Sequence, residues 1–200
     1  MLGDKVTEAS TNSKIILCHL KQINKDIYFM NAKIRFPINR PFLILGSSGQ
    51  SVTEMQKVLN QRLAELPYFQ QEVSVTGYFG QNTLILVKYL QCVVFLPVDG
   101  IVGPKTWAYL DEGVTSLPQL SLGSTGSYVK AVQEELKSSK YYCGAIDGNF
   151  GTKTALSVKA FQTSQHLTDD GIIGDRTWTE LIKLETHIKR CHQTSFRHLT

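Results

Sequence analysis

Apolar residues recur at helical spacing in two stretches of this chain that are variants of one another. Val52, Met55 and Leu59 in the first answer Val129, Val132 and Leu136 in the second, with mostly polar residues between them. One apolar stripe of this period predicts an amphipathic helix. A second helix is predicted to open near Gln81 and Thr152. It places Thr83, Val87 and Leu90 on one face in the first copy, and Thr154, Val158 and Phe161 in the second. A third carries the i,i+3 pairs Trp107–Leu110 and Trp178–Leu181, which face a core. No β-run of useful length falls inside either copy. Residues 26–45, with Ile27-Tyr-Phe-Met30 and Ile34-Arg-Phe36, are the β-like stretch and predict an extended arm.

The punctuation agrees with three helices per copy. Ser51-Val-Thr-Glu54 fits a capping box with Ser51 as N-cap. Gly103-Pro104 puts proline at a first helical position, and Asp175 reads as an N-cap. Gly49 and Gly126 supply the turn before the first helix. Thr76-Gly77 and Asp147-Gly148 form the turn after it, with Phe79 and Phe150 pointing inward.

The two copies have a definite register. Gly46 with Gly123 and Gln56 with Gln133 are 77 residues apart. From Gly77 and Gly148 onward the offset is 71, through Gln91/Gln162 and Trp107/Trp178. The first copy therefore carries six extra residues, around Ala64 to Glu72, where a surface loop is expected. The fold class that follows is all-α, as two tandem small three-helix modules. Residues 1–41 form an extended N-terminal arm, 42–112 the first module, 113–118 a linker, 119–185 the second module and 186–200 a basic C-terminal tail. The linker, with Pro118, is short enough to restrict relative motion.

Charge narrows the function classes. The formal net charge of +4 is concentrated in the flanks: residues 1–41 carry +4 and 186–200 carry +3, while 42–112 carry −2 and 113–185 carry −1. Slightly acidic modules argue against nucleic-acid binding, which wants a basic face. No run approaches the roughly 18 apolar residues of a membrane-spanning helix. Ile15-Ile-Leu-Cys18, between Lys14 and Lys21, falls short of a secretory signal, so both an exported and a cytoplasmic location stay open. Cys18, Cys92, Cys143 and Cys191 match no repeat positions and form no C-x-x-C, which predicts free thiols.

At this point the chain resembles the peptidoglycan-binding-like domain family. The second copy carries that pattern in Leu122-Gly-Ser-Thr-Gly126, Val129, Gln133, Asp147-Gly-Asn-Phe-Gly151, Thr154, Val158, Phe161-Gln162, Asp170-Gly171, Gly174 and Thr177-Trp178. The first copy is looser, with Thr76 in place of Asp, Leu90 in place of Phe and Met55 in place of Leu. The resemblance covers about two thirds of the chain. It implies two small three-helix modules and a bacterial cell-wall ligand. Its matching residues are mostly glycines, caps and core positions, so they speak to architecture more than to ligand.

At each candidate position packing competes with chemistry. Trp107 and Trp178 have i,i+3 core partners, which favours burial over sugar stacking. Asp99, Asp147 and Asp170, each before a glycine, suit turns. Tyr141 and Tyr142 are adjacent aromatics and cannot both be buried on one face, so ligand contact and packing are both open for them. Ser127-Tyr-Val-Lys130 matches S-x-x-K but lacks the S-D-N and K-T-G partners of acyl-transferases. His187, Cys191, His192 and His198 lack regular zinc spacing and fall in the basic tail, read as solvated and mobile.

A duplicated module multiplies a surface, whereas an active site needs unlike groups converging on one point. No unclaimed segment exceeds about 45 residues, too few for a catalytic domain of usual size. The expectation is a non-enzymatic binder of peptidoglycan, glycan or stem peptide, with no catalytic residue, metal or cofactor. A separate cell-wall hydrolase is a candidate partner. The candidate ligand residues are Tyr142, Asp147, Asn149 and Thr152 in the second module, with Tyr78 and Gln81 in the first. The alternative is a protein-interaction scaffold that keeps the fold and has lost the wall ligand.

Overall fold

The computed structural model describes residues 40–67 and 69–196. The expected arm lies outside these residues apart from Arg40 and Pro41, as do residues 197–200 of the tail. Seven α-helices follow in order among the described residues: α1 (Gln50–Ala64), α2 (Gln81–Val93), α3 (Pro104–Glu112), α4 (Ser127–Ser138), α5 (Thr152–Ser164), α6 (Asp175–Ile182) and α7 (Glu185–Phe196). A 3₁₀ turn, Gly113–Ser116, joins α3 to the second copy. α1–α3 and α4–α6 are the two three-helix modules.

The helices bury the stripes that define them. Val52, Met55, Leu59 and Leu63 of α1, and Val129, Val132 and Leu136 of α4, are fully or almost fully buried. Phe79 and Phe150 are buried below the turns, as expected. Trp107 and Trp178 are core residues, and their indole N–H groups donate to the carbonyls of Pro41 and Pro118 at 2.8 Å. That bond ties the segment entering each module to its last helix and satisfies a buried donor. Pro104 is the first helical residue of α3, as the sequence predicts.

The caps differ from expectation. Ser51 lies inside α1, and the N-cap is Gly49. At φ 110° Gly49 turns the chain sharply enough for its carbonyl to take the N–H groups of Val52 and Thr53, both at 3.1 Å. The helix therefore starts two residues earlier than a Ser51 cap would allow. Glu54 does not reach back to complete a box and pairs with Arg40 at 3.2 Å. Asp175 is likewise the first residue of α6 and not its cap, which is Gly174. There its charge complements the helix dipole.

Among the described residues there is no strand. Each module is closed by two isolated antiparallel bridges: Leu43–Val102 and Ser48–Tyr78 in the first, Leu120–Ile173 and Thr125–Asn149 in the second.

Four buried glutamines organise the turns. Gln133 donates to Asp147 Oδ1, the Asn149 carbonyl and Thr154 Oγ1, and accepts from the Gly148 N–H. Gln162 does the same with Asp170, Ile172, Thr177 and Gly171. Gln91 does so with Asp99, Ile101, Thr106 and Gly100. Gln56 completes the set with Tyr78, Thr83 and Gly77. In all four, the threonine lies six residues after the glycine. Each module thus contains one device twice. Where three copies use an aspartate to accept the N–H two residues on, the Gly77 turn uses Thr76 Oγ1, 3.2 Å from the Tyr78 nitrogen. This accounts for the Thr76 departure from the family pattern.

The extra residues of the first module are only partly a surface loop. Asn60 pins the loop through both polar groups of Val73 at 2.9 Å. Leu66 and Val73 are buried, and Phe69 stacks on Tyr89 of α2 with ring centroids 4.5 Å apart.

The tail overturns two expectations. It is helical over Glu185–Phe196 and packs on α2, so it is not a solvated segment. Cys191 is buried and joined to Cys92 of α2 by a disulfide, so these two cysteines are not free thiols; Cys143 is free and exposed. The reason lies in the face that His187, Ile188 and Cys191 share on α7, which is buried while the lysine and most of the polar residues point outward. His187 Nε2 donates to the carbonyl of Val93 in the first module, and Nδ1 lies 2.9 Å from Glu135 Oε2 in the second. α7 therefore joins both modules at once.

Candidate ligand-binding grooves

The outer rim of each glutamine-held turn is where side chains face solvent. In the first module, Gly77 takes φ 71°, which carries Thr76 and Tyr78 to the rim while Gln56 holds the backbone from below. A groove of about 280 Å³ opens there, lined by Val73, Ser74, Thr76, Tyr78, Gln81 and Asn82. The sequence-derived candidates Tyr78 and Gln81 are thus brought together. Tyr78 is 55% exposed, an amphipathic ring beside two amides. An aromatic face with amide donors and acceptors can stack on and hydrogen-bond a sugar or a peptide.

In the second module Asp147, Asn149 and Thr152 are exposed on the equivalent turn. The Asn149 N–H and the Gln133 amide both donate to Asp147, and these bonds hold its carboxyl below the usual range. Asp147 Oδ1 thus serves its own turn, as the sequence suggested for Asp before Gly.

Tyr142 is not where an exposed ligand residue should be. It is 7% exposed, and its hydroxyl donates to the Ala145 carbonyl at 2.7 Å. The cause is Gly144, which folds so close over the ring that a Cβ there would meet the Tyr142 hydroxyl at 2.4 Å. Its neighbour Tyr141 is the half-exposed member of the pair and bonds Ser164 at 2.8 Å.

A larger groove, about 660 Å³, lies at the turn before α6 and was not foreseen from sequence. Its walls include Gln119, Leu167, Asp170, Asp175 and Arg176. The Ile172 N–H and Gln162 hold the Asp170 carboxyl below the usual range. The readable signal was the pairing of Phe42 with Gln119 in the 77-residue register, a bulky residue against a slender one.

No group of three metal-ligating side chains comes together among the described residues. Cys191 is taken up by its disulfide. Ser127 of the S-x-x-K match is simply the first residue of α4. No described helix is long and apolar enough to cross a membrane.

Comparison with known proteins agrees with this architecture. The chain is 48% identical over 68 residues to an uncharacterized protein of Kitasatospora aureofaciens, covering 34% of this chain and 58% of that one. It is 31% identical over 163 residues to the N-acetylmuramoyl-L-alanine amidase CwlL of Bacillus licheniformis, covering 68% of this chain and 44% of the amidase. It is 31% identical over 105 residues to the zinc D-Ala-D-Ala carboxypeptidase of Streptomyces albus G, covering 46% of this chain and 40% of the carboxypeptidase. The chain thus spans about half the length of these relatives. No solved structure matches it significantly. The family described as "Putative peptidoglycan binding domain" matches residues 48–110 and again 125–181, more than half of the chain, and the chain belongs to that family.

Proposed function

We propose that the chain binds bacterial peptidoglycan without cutting it, through two tandem modules spanning 42–112 and 119–185 and joined by 113–118. The observation that carries this reading is the double family match, set beside exposed, glutamine-held turns in both modules. In the first module the ligand lies in the groove of Tyr78 and Gln81. In the second, Asp147, Asn149 and Thr152 present the equivalent surface, and Tyr142 supports it from below. Each site alone is weak, and two on one chain gain by effective concentration. A separate cell-wall hydrolase is the natural partner, since the matched relatives include an amidase and a carboxypeptidase.

The protein acts in the periplasm or cell wall. The disulfide Cys92–Cys191 supports this, because such bonds persist in oxidising compartments and are rare in the cytosol.

Co-sedimentation with purified sacculi tests the proposal. The protein is expected in the pellet while the turbidity of the suspension stays flat. Clearing of the suspension would show an enzyme, and protein left in the supernatant would favour the scaffold reading.

A further inference from the structure

The groove before α6 and the groove before α2 are the same place in the repeating device. The six positions Thr76, Tyr78, Gly80, Gln81, Asn82 and Thr83 correspond, 94 residues on, to Asp170, Ile172, Gly174, Asp175, Arg176 and Thr177. Their chemistry differs. The first offers a tyrosine and two neutral amides. The second offers an acid and a base side by side at its mouth. Asp175 and Arg176 are both exposed, and neither has an ion-pair partner among the described residues.

At the second turn of the first module the equivalent place is covered. There the ring of Phe42 lies across Gly103, so that a Cβ on Gly103 would meet Phe42 Cε1 at 3.0 Å. Gln119 replaces Phe42 in the 77-residue register, and a Cβ on the corresponding Gly174 would meet nothing within 4 Å. Pro104 and Lys105 stand where Asp175 and Arg176 stand in the second module, so the closed position also lacks the acid. The opening and the paired charges occur together.

Building on the wall-binding reading, we infer that the groove at Gly174 is a second ligand site, specific for a short peptide bearing both a free ammonium and a free carboxylate, the chemistry of a peptidoglycan stem. Asp175 receives the ammonium. Arg176 takes the carboxylate through its planar fork. Gln119, Thr177 and the rim of Asp170 bound the peptide between them.

Titration of the ¹⁵N-labelled full chain with Nα-acetyl-L-Lys-D-Ala-D-Ala tests this, with the Nα,Nε-diacetyl C-terminal amide as the charge-free control. The charged peptide is expected to shift the amide signals of Gly174, Asp175, Arg176 and Thr177, and the control to leave them in place. Asp175→Asn and Arg176→Gln should each weaken binding about tenfold, the loss of one charge-assisted contact. Gln119→Phe should close the groove and abolish the shifts while the rest of the spectrum persists, since Phe42 shows that the module accepts that ring. Equal response to both peptides, shifts confined elsewhere, or full binding by Gln119→Phe overturns the inference. Sacculus pelleting is read in parallel. Retained pelleting without peptide shifts overturns this site and leaves wall binding standing, whereas loss of both overturns both.

Discussion

Glu135 of α4 and His187 of α7, 52 residues apart, meet at 2.9 Å with the carboxylate fully buried. Arg190 also bonds the same Glu135 oxygen, and Ser139 donates to its other oxygen at 3.0 Å. Burial by itself would raise the Glu135 pKa, but the hydrogen bond and charge of His187, the charge of Arg190 and the Ser139 bond outweigh it and hold the group below 4.5. Its folded value is therefore lower than its unfolded one. Stability from this contact is fully present above about pH 4.5 and is lost as pH falls through the lower folded value. The thermal midpoint should be flat with respect to this group above that pH and decline below it. In Glu135→Gln the acid decline should be shallower, which a pH series of melting curves checks.

Removing the Glu135 charge also leaves His187 and Arg190 without their partner. Breaking a buried pair from one side costs about 3–5 kcal/mol. Glu135→Ala at pH 7 should lower the urea midpoint accordingly. A change under 1 kcal/mol would mean that α7 does not depend on this contact.

The Cys92–Cys191 bond closes a loop with a sequence separation of 99. For a loop of that length, the lost freedom of the unfolded chain corresponds to about 4–5 kcal/mol. Cys191→Ser, or reduction with dithiothreitol, should lower the melting temperature strongly. Unfolding curves that coincide with and without reductant would show that α7 is held by packing alone.

Trp178→Ala should cost about 3–5 kcal/mol, because the ring is fully buried and its N–H anchors the Pro118 carbonyl. Tyr142→Ala should fall in the same class. A ligand ring on the surface would have left no cavity, but this one sits under Gly144. Tyr142→Phe, which loses the bond to Ala145 and the weaker one from Gln133, should cost about 1–2 kcal/mol. Chemical denaturation of the three variants orders them.

Tyr78→Ala is the complementary case. The ring is more than half exposed, so stability should change by about 0.5 kcal/mol or less. Sacculus pelleting should nevertheless weaken. Unimpaired pelleting would remove the first-module groove from the binding surface.

Local patterns in the chain foretell its helices, and tertiary contacts do not announce themselves. The stripe of Val52, Met55 and Leu59, the proline of Gly103-Pro104 and the Trp–Leu pairs are local patterns, and the helices they predict are all present. That Tyr78 and Gln81 line one groove was readable for the same reason, since they are neighbours at one turn. Tyr142 was misplaced because a glycine two residues on covers it, a tertiary event with no periodic signature. The Cys92–Cys191 bond and the Glu135–His187 contact join segments that have no counterpart in the repeat. α7 itself was hidden because its apolar face is only a few residues wide on a basic helix.

The buried glutamines carry a consequence for how this surface can change. Each turn is shaped from inside by one amide, a glycine and a threonine, while the residues at its rim read Thr-Gly-Tyr, Asp-Gly-Ile, Asp-Gly-Asn and Asp-Gly-Ile. The rim position after the glycine meets the glutamine through its backbone carbonyl and not through its side chain. Recognition can therefore be rewritten one turn at a time without refolding the scaffold. A single chain can carry up to four independently tuned contact points, and selection can act on each one separately.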